Sequence, residues 1–180
     1  MKLREVTLPN GQSFQVPKGI QRIDSKSTHG WQVRCQGTKF FSDGDGDGAG
    51  AQLSLANASH ELLARASTMP ATHGLKLSPN ANKTSDLPPG ISGPIVRQRT
   101  GRVQTAILSV LLPRFGKTAA VKTVHIGSEN TYTVEKYYSA VAKSVEMRAA
   151  AVAVYEQEAA KAHRSTLIAL KKHAQALRSH

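Results

Sequence analysis

The chain has 180 residues, and its 24 lysines and arginines against 12 aspartates and glutamates give a formal charge of +12 and a pI near 10.1; this balance points to an anionic partner, with nucleic acid ahead of an acidic membrane surface. Such a length holds one ordinary domain or two small ones with little core to spare. The single cysteine, Cys35, excludes an internal disulfide and a thiolate zinc cluster, the opening MKLREVTLP lacks an apolar leader core, and no apolar run reaches the ~18 residues of a membrane span, so the expectation is a cytoplasmic, nucleoid-associated protein without a membrane partner.

LREVTLPNGQSFQV alternates apolar and polar residues on both sides of Pro9-Asn10-Gly11. Asn-Gly between two such runs predicts a hairpin, because both residues tolerate positive φ. GIQRID, GWQVRCQ and TKFFSD then read as three short strands, and Leu55, Ala58, Leu62 and Ala66 recur at helical spacing in LSLANASHELLARAS. From Thr68 to Pro89 the chain is rich in Pro, Asn, Ser, Thr and Gly and carries a double proline, which reads as a linker. The order then repeats. GPIVRQR, GRVQTAILSVLL and AAVKTVHIG read as strands, with PRFGK as the middle turn, and a helix begins near Thr133, whose hydroxyl can cap it while Glu135 suits the positive end of the macrodipole. Val134, Tyr138, Val141, Val145 and Val152 mark one face of this helix. No Gly or Pro interrupts the chain from Thr133 to His180, and no acid follows Glu158. Leu167, Leu170 and Leu177 form a stripe in the basic tail, suited to docking on the protein's own core, to a homodimer through the C-terminal helix, or to nucleic acid; His163 to Thr166 marks a place for a bend or a new helix.

The expected fold class is α+β: two small units, each a three-stranded antiparallel sheet packed on a helix, with a long C-terminal helix. The expected divisions are an N-terminal hairpin at 1–18, a first DNA-binding domain at 19–67, a linker at 68–89, a second DNA-binding domain at 90–158 and a basic helical extension at 159–180. A repeat supports the tandem plan, since Pro17, Gly19, Ile20 and Gly30 recur as Pro88, Gly90, Ile91 and Gly101 at one constant offset.

Few residues offer catalysis or metal binding. DGDGDGAGAQLS begins like a calcium loop at Asp43, but its twelfth position is Ser54 rather than glutamate, and a strand and a helix flank it instead of two helices. The seven histidines show no close pairing at metal-ligand spacing, and no nucleophile with a base or carboxylate pair is recognisable. Asp24 and Glu61 read as solvated surface charges. The expectation is therefore no enzyme, no cofactor, no metal and no small-molecule substrate.

The basic residues, by contrast, are organised. No acid occurs between Leu87 and Ser128, where Arg97, Arg99, Arg102, Arg114, Lys117 and Lys122 lie on or beside the strands. In GWQVRCQ a period of two sends Trp31, Val33 and Cys35 to one face and Gln32, Arg34 and Gln36 to the other. Arg and Gln pair bidentately with guanine and adenine edges, and a sheet can enter the major groove.

Three strands, a following helix and the words GIxxI, HGWxVR and KFFSD resemble the Apetala-two/ethylene-response-factor DNA-binding domain in its bacterial or phage form, and IVRQRTGRVQTAI is similar to the arginine-bearing core of its plant members. The resemblance covers Gly19 to Ser67 and Gly90 to Glu158. It implies major-groove reading by each sheet with the helix behind it; by position, Arg97 and Arg99 match the family's base- and backbone-contacting pair, and Arg34 with Gln32 its second-strand polar face. The family's second-strand acid has no counterpart in QTAIL and its third-strand tryptophan none in VKTVHIG, so no base preference carries over. The positions expected to contact DNA are Arg22, Gln32, Arg34 and Lys39 in the first domain and Arg97, Arg99, Arg102, Gln104, Lys117 and Lys122 in the second. The expected function is sequence-specific binding of double-stranded DNA by a transcriptional regulator; the alternatives are an architectural or recombination accessory protein, and RNA binding, for which Phe40 and Tyr132 are the available stacking aromatics.

Overall fold

A computed structural model describes residues 1–44, 48–72, 74–75, 77–79, 83, 85–98 and 100–178. The architecture is α+β, with three antiparallel sheets of two, three and three strands, a short helix and a long C-terminal one. In chain order these are β1 (Leu3–Thr7), β2 (Ser13–Pro17), β3 (Ile20–Asp24), β4 (His29–Arg34), β5 (Thr38–Ser42), α1 (Ala51–Thr68), β6 (Ile91–Arg97), β7 (Thr105–Leu112), β8 (Ala120–Ser128) and α2 (Val134–Ala176). Every expected strand and helix is present. Among the described residues between α1 and β6 there is no helix or strand. α2 runs through His163 to Thr166 as one helix. The chain separates into two compact units, Met1–Pro70 with Lys161–His180, and Ala71–Ala160.

In the first unit, β1 pairs with β2, and β3, β4 and β5 form a meander. The alternation in β4 buries Trp31 and Val33, which meet Ile20 from β3 and Leu55, Ala58 and Leu62 from α1 in one core. Trp31 is fully buried, and its Nε1 donates to the Ala51 carbonyl at 2.8 Å, so the indole's one polar atom is satisfied at the start of the helix. Truncating such a side chain costs about 3–5 kcal/mol. The hairpin, a two-stranded sheet of its own, shares this core. Leu8 and Val16 belong to the same core, and Phe14 meets Trp31 edge-on at 6.0 Å.

The basic C-terminal segment also joins this unit. Leu170 is buried in the first core and Leu177 packs against it, Gln52 Nε2 donates to the Leu177 carbonyl at 2.9 Å, and His173 Nε2 lies 2.7 Å from the Gln15 carbonyl. Of the roles open to the leucine stripe, docking on the protein's own core is therefore the one that covers Leu170 and Leu177.

In the second unit, β6, β7 and β8 form a meander whose buried side chains, Ile91, Leu108, Val110, Val124 and Ile126, cluster with Ala140 of α2. Thr133 caps α2 as expected, its Oγ1 accepting from the Lys136 backbone N–H at 3.3 Å. The expected apolar face of α2 needs correction. Val134, Tyr138 and Val145 are exposed, whereas Ala140 and Ser144 are buried and Tyr137, Val141 and Met147 pack beside them. Ser144 satisfies its hydroxyl on the Ala140 carbonyl at 2.7 Å.

The repeat is partly structural. Gly19 and Gly90 both have positive φ, +104° and +76°, and each is followed by a buried isoleucine that opens its sheet. Their carbonyls accept equivalent bonds, from the Arg34 N–H at 2.8 Å and the Leu111 N–H at 2.7 Å. Gly30 and Gly101 are not equivalent. Gly30 lies inside β4, where a Cβ would come within 2.1 Å of the Phe41 carbonyl oxygen, whereas Gly101 occupies a turn at φ +73° with nothing near it. Replacing Gly30 with alanine must therefore displace β5, at a cost of about 3 kcal/mol, and replacing Gly101 should cost only about 1 kcal/mol of backbone strain. Urea denaturation of the two variants, followed by circular dichroism, checks this order.

Candidate nucleic-acid interface

Cross-strand partners share a face, so the registers place each expected contact residue. In the first sheet Gln21 pairs with Gln32, which pairs with Phe40, while Arg34 pairs with Thr38; none of these belongs to the core containing Trp31 and Val33. They form the outer face, opposite α1, together with Ile23 and Ser42. Arg34 is exposed, and its Nε donates to Gln32 Oε1 at 2.5 Å, joining the two along β4. Phe40 is 38% exposed, and its ring lies over Gly30, where only hydrogen leaves it room.

Arg22 and Lys39 stand on the other face. Arg22 pairs with Trp31 in the register, and its guanidinium carbon lies 5.0 Å from the indole centroid. Its side chain is only 9% exposed and is held by Asp43 Oδ2 at 2.6 Å and Asp24 Oδ1 at 2.8 Å. Lys39, across from Val33, reaches Glu61 of α1 at 2.8 Å, and Arg65 Nε meets the same carboxylate at 2.7 Å. Arg22 and Lys39 are thus engaged in holding the sheet to its helix rather than gathered with Gln32 and Arg34. Asp24 and Glu61, expected as solvated charges, are ion-paired partners in these networks. The difference arises because a cation on a strand has no intrinsic face; the register decides it.

Asp43 links β3 to α1. Its carboxylate has no exposed surface, pairs with Arg22 and accepts from Ser54 Oγ at 2.5 Å through Oδ1. The calcium-loop reading of this stretch falls on Asp43, which is committed to these partners, and on Asp45 and Asp47, which lie outside the described residues. Among the described residues no group of His, Cys, Asp and Glu is arranged to hold a metal ion.

In the second sheet Arg97 pairs with Thr105, on the outer face with Ile95, Ile107, Ser109 and His125. Arg99 lies outside the described residues. Arg102 and Gln104 occupy the β6–β7 connection at one end of the sheet, with Gln104 Nε2 donating to Gln98 Oε1 at 3.1 Å. Lys117 lies in the β7–β8 connection at the opposite end, and Lys122 pairs with the buried Val110, on the face toward the core. The structure thus brings Gln32 and Arg34 together on one face and leaves the second-domain cations divided between two ends and two faces.

No protein-family model, curated protein or solved structure matches the chain. Lys2, Arg4 and Lys18, which no local pattern links to the sheet, line one cleft with Arg34, because packing brings the hairpin beside it.

The ion-pair networks set a pH response. The hydrogen bond from Arg22, with a further one from His29, holds the Asp24 carboxyl below its ordinary value of 3.8; hydrogen bonds from Lys39 and then Arg65 hold Glu61 below 4.5. Both carboxyls bind protons less readily folded than unfolded, so their stabilisation is complete above the unfolded values and is lost as pH falls through the folded ones. Trp31, the one tryptophan, reports on the first unit by fluorescence. Its melting temperature should hold from pH 7 to about 5 and fall steadily below about 4. Asp43→Asn, which leaves Arg22 short of a partner at a site away from water, should destabilise this unit by on the order of 3 kcal/mol at pH 7, read from the same fluorescence in urea.

Proposed function

We propose that the protein binds double-stranded DNA sequence-specifically and without catalysis, as a transcriptional regulator associated with the nucleoid, and that the outer face of the first sheet is the principal reading surface. The carrying observation is the joined pair of half-buried Gln32 and exposed Arg34 on the face opposite α1, flanked by Gln21 and Thr38. These side chains supply donors and acceptors of the kinds that read purine edges, mounted on a strand whose opposite face is anchored by Trp31. A chain of charge +12 supplies the attraction to phosphate. The likeness to the Apetala-two/ethylene-response-factor domain agrees with this surface, and the tandem reading makes the second sheet, with Arg97 outward, an auxiliary module whose contact raises affinity by becoming intramolecular.

A second reading is binding of single-stranded RNA, favoured by Phe40, an exposed ring beside Gln32 on which a base could stack.

Selection of bound duplexes from a random pool should enrich a motif, and Gln32→Ala should then weaken the preferred duplex by about 1–3 kcal/mol while leaving a scrambled duplex unchanged. Arg97→Ala should act likewise if the second sheet contributes base contacts. A preferred-to-scrambled ratio unaltered by Gln32→Ala removes the first sheet as reader, and tighter binding of single-stranded RNA that is lost in Phe40→Ala establishes the second reading instead.

A further inference from the structure

Where the hairpin meets the first sheet, a cleft of about 440 Å³ is lined by Lys2, Arg4, Lys18 and Arg34, with Gly19 and Gln21 also on its wall. Among the described residues no aspartate or glutamate lines it. Glu5, the nearest acid in sequence, pairs with Gln15, while Arg4 pairs with the buried Val16, so strand alternation turns the two to opposite faces of the hairpin. Arg4 is positioned by a bond from Nη2 to the Ile20 carbonyl at 2.9 Å, and Lys18 by its backbone bond to the Lys2 carbonyl at 3.2 Å. Four cationic residues lining one cleft with no acid in its lining repel one another, and an anion relieves that repulsion.

We propose that this cleft is a binding site for the phosphodiester backbone of duplex DNA, contiguous with the reading face through Arg34, which belongs to both. The inference rests on the DNA-binding reading and adds to it three residues and a role: Lys2, Arg4 and Lys18 hold the strand in register while Gln32 and Arg34 meet the bases. A small phosphorylated ligand fits the cleft less well. Sites for such ligands bury most of the molecule's surface, whereas all four cationic side chains here belong to exposed residues, an arrangement that grips a polyanion passing across it.

The test uses the intact protein with Lys2→Gln and Lys18→Gln combined; both residues are exposed, so the fold should persist, as Trp31 fluorescence and circular dichroism verify. Affinities for the preferred and scrambled duplexes should fall together, leaving their ratio as in the parent, and the slope of log affinity against log salt should become shallower by about 0.9 for each phosphate contact removed. An unchanged salt slope overturns the cleft while a surviving sequence preference keeps the reading face. A shallower slope in a protein without sequence preference upholds the cleft and removes sequence reading. Amide shifts of Lys18 and Gly19 that saturate with submillimolar inorganic phosphate, together with unaltered duplex affinity in the double variant, would reassign the cleft to a small phosphorylated ligand and overturn the proposal. So would a slope change seen with single-stranded RNA but absent with duplex DNA.

Discussion

Asp43 is the constraint on which the first unit depends. A carboxylate without exposed surface is tolerable only when its charge and lone pairs are met, and here Arg22 meets one oxygen and Ser54 the other. Since Arg22 belongs to β3, Asp43 follows β5 and Ser54 lies in the first turn of α1, this one group ties both edge strands of the sheet to the beginning of the helix. Arg22 in turn lies over Trp31, whose indole N–H reaches the Ala51 carbonyl, so the central strand is drawn into the same junction. Gly50, just ahead of α1, has the Asp43 carbonyl where a Cβ would stand, so the chain passes closely here.

That junction frees the other face of the sheet. With the core side filled by aromatic, aliphatic and ion-paired groups, the side chains of the opposite face carry little of the fold, and residues such as Gln32 and Arg34 can be disposed for recognition. The second sheet divides its residues differently. Its outer face carries Arg97 and His125 among isoleucines and hydroxyl side chains, and Ile107 is buried there. Two sheets with the same strand order therefore present unlike surfaces.

The repeated words in the chain illustrate how far local sequence reaches. Pro-x-Gly-Ile marks a real structural equivalence because it is short: a glycine at positive φ, a buried isoleucine and one cross-strand bond are all settled within a few residues and their immediate partner. Gly30 and Gly101 share the same offset by coincidence. The connection from β6 to β7 is longer than that from β3 to β4, so the second glycine falls in a turn in one copy and within a strand in the other.

The sequence by itself determined the elements of both sheets and helices, the Asn-Gly hairpin, the Thr133 cap and the core role of Trp31, Val33, Leu55 and Leu62, because these follow from period, turn chemistry and capping within a few residues. It also determined the excess of positive charge, which is composition alone. Only the tertiary structure decided where those charges stand. Arg22 and Lys39 are as basic as Arg34, yet strand register turns them toward acids brought from distant positions, and no local pattern records a partner twenty residues away. The same holds for α2. Its apolar residues are spread around the helix, and the buried side is the one carrying Ala140 and Ser144, a choice made by the facing surface. Lys2, Arg4 and Lys18 became neighbours of Arg34 for the same reason: the hairpin's Leu8 and Val16 needed a core to bury them, and the nearest was that of the first sheet.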